Sequence, residues 1–329
     1  MDQVKWGIIG CGDVTEVKSG PAFSKVKDSQ LVAVMRRDGA KAQDYARRHG
    51  VPRWYDDADQ LIHDPEVNAI YVATPPGSHA DYTFRAARAG KPVYVEKPMA
   101  RSFAECQEMV RACAAAGVPL FTAYYRLRLP MFLKVKELID SGAIGEVRLV
   151  NIRLYHPPHP GDFSPEALPW RVQPEEAGGG HFFDLASNQL DFLDFVFGPV
   201  KEVQGTAGNQ AGLYPAEDLV TANFQFESGA YGSGVWCFTV PPFLKTDYTE
   251  IIGSKGRIRY ASFGNEPMYL DTEAGTEPFV LPYPAHVQQP LIQTIVDELL
   301  GRGTCPSTGT TGARTSRVLE EIVYGRKSC

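Results

Sequence analysis

The sequence predicts an α/β protein in two parts: a parallel-sheet domain, then an α+β domain with a large, open, mostly antiparallel sheet. Three observations predict it. Up to Thr122, short β-branched runs alternate with helical stretches, the rhythm of a parallel sheet with right-handed crossovers. After Tyr124 that rhythm stops, and from Val200 to Val240 long extended runs follow one another without helices between them. A chain of 329 residues, 43% hydrophobic and 22% charged, is also long enough for two buried cores and is not disordered in composition.

Each element has its own signal. Val4–Ile9 reads as a buried strand that runs directly into Gly10-Cys11-Gly12 and a helical stretch. Further strands are expected at Gln30–Met35, Val67–Ala73, Pro92–Val95 and Val118–Thr122, the second of these closed by Thr74-Pro75-Pro76-Gly77. Helices are expected over Asp38–His49, Ser78–Ala89 and Ser102–Ala116, each stopped by a glycine (Gly50, Gly90, Gly117). In the second part a helix over Met131–Ser141 precedes an alternating strand at Glu146–Tyr155. Extended runs follow at Val203–Thr206, Glu217–Phe226 and Ala230–Val240, then strands at Thr249–Ile252, Gly256–Tyr260 and Met268–Leu270. Helices over Gln288–Leu300 and Thr311–Tyr324 close the chain. The domain boundary is expected between Thr122 and Arg126, giving 1–122 and 123–329.

Composition narrows the function. Thirty-nine acidic and 33 basic residues give a net charge of -6, with Arg and Lys dispersed, which argues against nucleic-acid binding. Met1-Asp2-Gln3-Val4-Lys5 leads into a strand too short for a signal-peptide core, and no run approaches the roughly 18 apolar residues that span a bilayer. A cytoplasmic protein with no membrane partner is expected. The six cysteines are scattered and form no CxxC pair, so neither a disulfide framework nor a metal site is expected. Cys106 and Cys113, seven apart, fall on one helix face.

Gly10-Cys11-Gly12-Asp13-Val14-Thr15 stands where a dinucleotide-binding turn belongs, between the first strand and a helix. Two glycines let the backbone turn tightly and approach a pyrophosphate, whose charge meets the helix N-terminus. The third fingerprint position is Thr15, not Gly or Ala. A Rossmann domain binding NAD(P) is therefore expected, with Gly10, Gly12, Asp13 and Val14 at the cofactor. After the second strand, Arg36 and Arg37 favour the 2′-phosphate of NADP, while Asp38 keeps NAD open through the ribose hydroxyls. Thr74 and Pro75 end the third strand where the nicotinamide pocket is expected; His79 stands either near the nucleotide or as a surface cap.

Glu96-Lys97-Pro98 follows the fourth strand. With Gly10-Cys11-Gly12 it resembles the glucose-fructose oxidoreductase and inositol dehydrogenase (Gfo/Idh/MocA) family. The likeness extends through Ala123-Tyr124-Tyr125-Arg126, through Gly178-Gly179-Gly180 with Asp184, Asn188 and Asp191, and through Gln289-Pro290-Leu291-Ile292 and Ser307-Thr308-Gly309. It implies an NAD(P)-dependent oxidoreductase acting on a sugar, inositol, sugar acid or aromatic trans-dihydrodiol. It also implies a catalytic Lys97, aimed by an often cis Pro98, with Glu96 and Lys97 both at the cofactor, and pairing of subunits through their C-terminal sheets as a homodimer or homotetramer. An ammonium lowers the energy of a developing alkoxide, which agrees with that role for Lys97.

The family commonly carries Asp and, four residues on, a His that serves as acid–base partner. Here Asp184 matches, but the second position is Asn188, which hydrogen-bonds and does not titrate. Three arrangements stay open. Lys97 carries proton transfer alone while Asn188 orients substrate; or His181, Tyr124, Tyr155 or His156 takes over; or activity is severely impaired. Tyr124, Arg126 and Trp170 are further candidates for the substrate site, although Arg126 and Arg128 equally suit tying the domains together and Trp170 a core anchor. Asp191 and Asp194 read as structural. Two rival functions remain: a nucleotide-binding sensor or structural protein that lost turnover, and a redox-neutral glycosidase that keeps its NAD(P) bound throughout.

Overall fold

A computed structural model describes residues 2–325. Its first sheet has six parallel strands: β1 Val4–Ile9, β2 Ser29–Met35, β3 Arg53–Tyr55, β4 Ala69–Val72, β5 Val93–Val95 and β6 Leu120–Thr122. Their order is β3-β2-β1-β4-β5-β6. Helices α1 Asp13–Val17, α2 Gly39–His49, α3 Ala58–Ile62, α4 His79–Arg88 and α5 Phe103–Ala115 make the crossovers. Strands β4 and β5 are buried along their whole length, which explains their unbroken apolar sequences. The order reverses between β1 and β4, the switch point at which open parallel sheets bind ligands beyond their C-terminal strand ends.

The sequence did not announce β3 or α3. Strand β3 is three residues long with Trp54 exposed, so no apolar run marks it. Helix α2 shows how local chemistry sets ends. Asp38 accepts from the Lys41 backbone N–H at 3.2 Å, and Gly50 closes the helix in the left-handed region at φ 65°. Cys106 and Cys113 lie on the buried side of α5.

The second sheet has eight strands: β7 Val147–Tyr155, β8 Val200–Gly208, β9 Leu219–Phe226, β10 Tyr231–Cys237, β11 Thr246–Gly253, β12 Gly256–Tyr260, β13 Met268–Thr272 and β14 Gly275–Phe279. They run β14-β13-β12-β11-β7-β10-β9-β8, antiparallel except for the pair β7–β10. The remaining helices are α6 Pro130–Asp140, α7 Pro174–Ala177, α8 His181–Phe197, α9 Gln289–Leu299 and α10 Gly309–Tyr324. Helix α8 covers one sheet face: Phe182 meets Trp236 with ring centroids 5.1 Å apart, and Trp236 Nε1 donates to Gln189 Oε1 at 2.8 Å. On the other face Leu149, Asn151, Val235 and Ile252 stay partly exposed.

The chain divides into two compact units. One runs to Leu127 and takes in Pro284–Ala313; the other is Arg128–Tyr283 with the segment from Arg314 onward. The linear division expected from the sequence placed 284–313 in the second part. Long-range contacts put it with the first. Leu291, Ile292, Ile295 and Val296 are buried, Tyr94 Oη donates to Gln288 Oε1 at 2.7 Å, and Ser307 Oγ donates to the Thr122 carbonyl at 2.7 Å. Among the described residues no helix is long and apolar enough to cross a membrane.

Candidate active site

In the first unit the candidate cofactor residues gather at the C-terminal ends of β1, β2, β4 and β5. Gly10 has φ 92°, and a Cβ there would lie 2.6 Å from Thr74 Cγ2 and 3.0 Å from its backbone N. The turn and the close approach of the β4 loop therefore both require glycine. Gly12 differs, because a Cβ there would meet nothing nearer than the Gly10 carbonyl at 3.9 Å. The open space beside it suits a cofactor backbone. Asp13 and Val14 begin α1, and Thr15 closes the turn by donating from Oγ1 to the Gly12 carbonyl at 2.8 Å. Beside the turn, Arg36 Nη1 donates to the Cys11 carbonyl at 3.2 Å, while Arg37 is exposed. Asp38 is engaged as the α2 cap and is ion-paired with Lys41 at 3.2 Å.

Thr74 and Pro75 follow β4 and are partly exposed. His79 is not a surface cap. It is fully buried, with Nε2 2.7 Å from the Thr74 carbonyl and Nδ1 3.1 and 3.2 Å from the Pro98 and Met99 carbonyls. It thus fastens the β4 loop to the loop carrying Lys97. The Lys97–Pro98 peptide is cis. Glu96 turns inward: its Oε1 accepts from Tyr71 Oη at 2.5 Å and Gln288 Nε2 at 2.6 Å, and its Oε2 from the Lys97 backbone N–H at 3.2 Å. These bonds brace the loop from within. Burial and the Glu96 charge push the Tyr71 phenol well above its ordinary range, so the hydroxyl remains a donor. Tyr124 is buried just past β6, and Arg126 stacks over the Tyr125 ring at 5.0 Å.

In the second unit Asp184 and Asn188 are one turn apart on α8. Asn188 is buried, and its Nδ2 donates to the Asp184 carbonyl at 3.2 Å. Arg171 ion-pairs with Asp184 at 3.5 Å while its guanidinium lies 4.4 Å from the Trp170 ring centroid, so Trp170 and Asp184 share one partner. The triple glycine has internal reasons. Gly178 is left-handed at φ 81°; a Cβ on Gly179 would strike Phe183 at 2.0 Å, and one on Gly180 would strike Ala216 at 2.7 Å. Gly180 N donates to Glu217 Oε1 at 3.0 Å. Asp191 and Asp194 belong to the packing of α10: Arg314 donates to Asp194 at 2.6 and 3.1 Å, and Thr315 Oγ1 to Asp191 at 3.3 Å.

Sequence reasoning missed Tyr71, Gln288, Asp162 and Tyr214. Gln288 directly precedes the Gln289-Pro290-Leu291-Ile292 run, a signal that was there to use. The others carry no local pattern. Asp162 is buried and accepts from His181 Nε2 at 3.1 Å; Tyr214 is buried edge-on to the His181 ring, with centroids 5.5 Å apart.

A parallel sheet with a Gly-x-Gly turn at its first strand and a lysine before a cis proline at its fifth, joined to a unit built on an open sheet, defines the two-domain nicotinamide-dependent oxidoreductases. Comparison with known proteins makes the membership specific. Residues 4–124 match the model of the oxidoreductase family with an NAD-binding Rossmann fold, and residues 132–259 match the GFO/IDH/MocA C-terminal domain. The chain belongs to the Gfo/Idh/MocA family and is an NAD(P)-dependent oxidoreductase. It is 37% identical to Oxidoreductase P35 of Formosa agariphila over 97% of this chain and 98% of that one. It is 30% identical to the trans-1,2-dihydrobenzene-1,2-diol dehydrogenase of Mus musculus over 70% of this chain and 67% of that one. Among solved structures, the aldose-aldose oxidoreductase from Caulobacter crescentus, complexed with glycerol, superposes with a TM-score of 0.85 at 26% identity, covering 97% of this chain and 96% of that one.

Proposed function

We propose that the protein moves a hydride reversibly between nicotinamide and a secondary alcohol or ketone carbon of a sugar, inositol, sugar acid or trans-dihydrodiol, with NADP(H) preferred. One observation carries the reading: the glycine turn, Arg36, Thr74-Pro75 and Lys97 all stand at the C-terminal ends of adjacent parallel strands around the switch point. The first unit binds the cofactor; the second binds substrate and mediates subunit association. When bound, the nicotinamide supplies the hydride donor or acceptor. Lys97 holds the reacting oxygen and stabilises negative charge on it. Asp184, Asn188, Trp170 and the Tyr124–Arg126 segment position the substrate. Arg36 and Arg37 receive the 2′-phosphate, a role supported by the engagement of Asp38 at the helix cap. The dehydrogenase of Mus musculus supports a dihydrodiol, and the aldose-aldose oxidoreductase of Caulobacter crescentus supports a sugar.

The test is nicotinamide absorbance with NADP⁺ and NAD⁺ over a panel of aldoses, inositols, sugar acids and trans-dihydrodiols. Turnover should favour NADP⁺, and Lys97→Met should lower kcat by about 10²–10⁴. Arg36→Ala should weaken NADPH binding about tenfold or more and leave NADH nearly unchanged, the loss expected for one charge-assisted phosphate contact. Tight NADPH binding without turnover on any substrate would favour the sensor function instead.

A further inference from the structure

We propose that His181, held by the buried carboxylate of Asp162, is a further catalytic residue: the acid–base group that takes and returns the substrate hydroxyl's proton, which Asn188 cannot do. The inference rests on the oxidoreductase reading above and names its missing proton carrier.

Of the four groups left open by the sequence, the structure favours one. Tyr155 ends β7 on the sheet face opposite α8, since its neighbour Leu154 is the buried one. Burial, with Lys245 adding to it, pushes the His156 imidazole down to about 4, too low for it to hold a proton at neutral pH; burial lowers His181 as well, but there the Asp162 carboxylate works against it. Tyr124, in the first unit just past β6, is only 1% exposed. His181 is the first residue of α8. At about 100° per residue it lies roughly 60° around the helix from Asp184 and 20° from Asn188, about 4.5 and 10 Å along the axis. One helix face therefore presents His181, Asp184 and Asn188 in a row, with Asp184 in the middle. A hydroxylated ring resting on Asp184 meets His181 on one flank and Asn188 on the other.

The support behind His181 is that of a working base. Asp162 is 1% exposed and is fixed by the His159 backbone N–H at 2.8 Å. Its Oδ2 accepts from His181 Nε2 at 3.1 Å, which assigns the ring proton to Nε2 and leaves Nδ1 for exchange. Around the ring stand exposed His159 and half-buried His156 from the same loop, Tyr214 from the loop after β8, Phe238 after β10, and Asp184 on α8 itself. Tyr214 is 4% exposed, yet its hydroxyl has no hydrogen-bond partner among the described residues; nor has His156 Nε2. Two orphaned polar atoms beside a His–Asp pair are groups that a bound polyol satisfies. In oxidation the C–H bond breaks with its hydride leaving for the oxidised nicotinamide, the O–H bond breaks with its electron pair forming the C=O bond, and the proton passes to His181 Nδ1; in reduction each transfer reverses.

The test compares the native chain, His181→Asn, Asp162→Asn, Asn188→His and the His181→Asn/Asn188→His double variant. The probes are trans-1,2-dihydrobenzene-1,2-diol and D-glucose with NADP⁺, with NADPH affinity by fluorescence and melting temperature as controls. His181→Asn should lower kcat about 10²–10⁴ and remove the acidic limb of its pH profile at unchanged NADPH affinity, and the double variant should regain at least tenfold. Ring ¹⁵N NMR of the native chain should show Nε2 protonated and Nδ1 bare at neutral pH. An unaltered rate in His181→Asn, a loss the double variant leaves untouched, or a ring protonated at both nitrogens up to alkaline pH overturns the inference. A silent native chain with an active Asn188→His variant overturns it while sparing the oxidoreductase reading. Silence in every variant with NADPH bound overturns both.

Discussion

An alanine at position 10 would carry its Cβ to within 2.6 Å of Thr74 Cγ2 at a φ of 92°, whereas an alanine at position 12 would meet only the Gly10 carbonyl at 3.9 Å. Left-handed backbone costs a non-glycine residue about 1–2 kcal/mol, and the clash adds to that. Gly10→Ala should therefore destabilise the protein by about 2–4 kcal/mol in urea unfolding. Gly12→Ala should change stability by less than about 0.5 kcal/mol. Its effect should fall on the cofactor instead, with NADPH affinity reduced at least tenfold, because the added methyl occupies the space a pyrophosphate would use. Equal destabilisation by both variants would mean that Gly12 answers to packing. The inward-facing residues of the same loop system obey another logic. Glu96 spends its carboxylate on Tyr71, Gln288 and the Lys97 N–H, and His79 its ring on the carbonyls of two loops. Spacing alone could not distinguish that from ligand contact, because the direction a side chain takes beyond a strand end depends on partners such as Gln288, 192 residues away.

At the scale of elements, α1 and α2 are joined by one carboxylate. Glu16 accepts two bonds from Arg48 at 2.8 Å each and faces His49 Nε2 at 2.8 Å, and these contacts, the Arg48 bonds first, hold its carboxyl down at about 2. A carboxylate whose folded pKa lies below its unfolded value stabilises the fold above the unfolded pKa and loses that contribution as pH falls through the folded one. Stability should thus decline between about pH 4.5 and pH 2. Because the pair is more than a third exposed, solvent screening limits the contribution to about 1 kcal/mol. Glu16→Gln should remove that share of the acid slope in pH-dependent thermal melts. The tie between α8 and α10 is more deeply buried. Arg314 pairs with Asp194, and beside it burial, aided by the Asp194 charge, raises the Asp191 carboxyl well above the carboxylate range. Arg314→Met should cost about 2–3 kcal/mol by stranding a buried carboxylate, while Asp191→Asn, which replaces a carboxyl whose charge burial disfavours with an amide of the same shape, should cost under about 1 kcal/mol. Urea unfolding separates the two. Most plainly legible in the sequence were elements whose burial repeats locally, among them β1, β2, β4 and the glycine-stopped helices α2, α4 and α5. Strand β3, with Trp54 exposed, and strand β14, almost wholly exposed, have no such repeat to read.

For the whole molecule, the eight-stranded sheet sets the question of assembly. Its register lines up Asn223, Ser233, Asn151, Glu250 and Arg259 across five strands on the face away from α8. Ser233 Oγ donates to Asn151 Oδ1 at 2.9 Å, Asn151 Nδ2 to Glu250 Oε1 at 3.1 Å, and Tyr248 Oη to Glu250 Oε2 at 3.0 Å. Ser233, Asn151 and Glu250, the middle of the row, are thus paired among themselves and can be covered without losing those bonds. The neighbouring row of Tyr231, Leu149 and Ile252, together with Val235, supplies apolar surface on the same face. A face that is apolar in part, with its central polar side chains paired among themselves, suits burial against a second copy of itself, in the isologous arrangement of a two-fold dimer. Multi-angle light scattering at micromolar concentration should report a dimer, or a tetramer built from two. Val235→Asp would bury an unpaired carboxylate in that contact and should shift the protein to monomer, leaving NADPH affinity of the first unit within about twofold. A native chain that runs as a monomer would remove the sheet face as an interface. A dimer that survives Val235→Asp would move the contact to another surface.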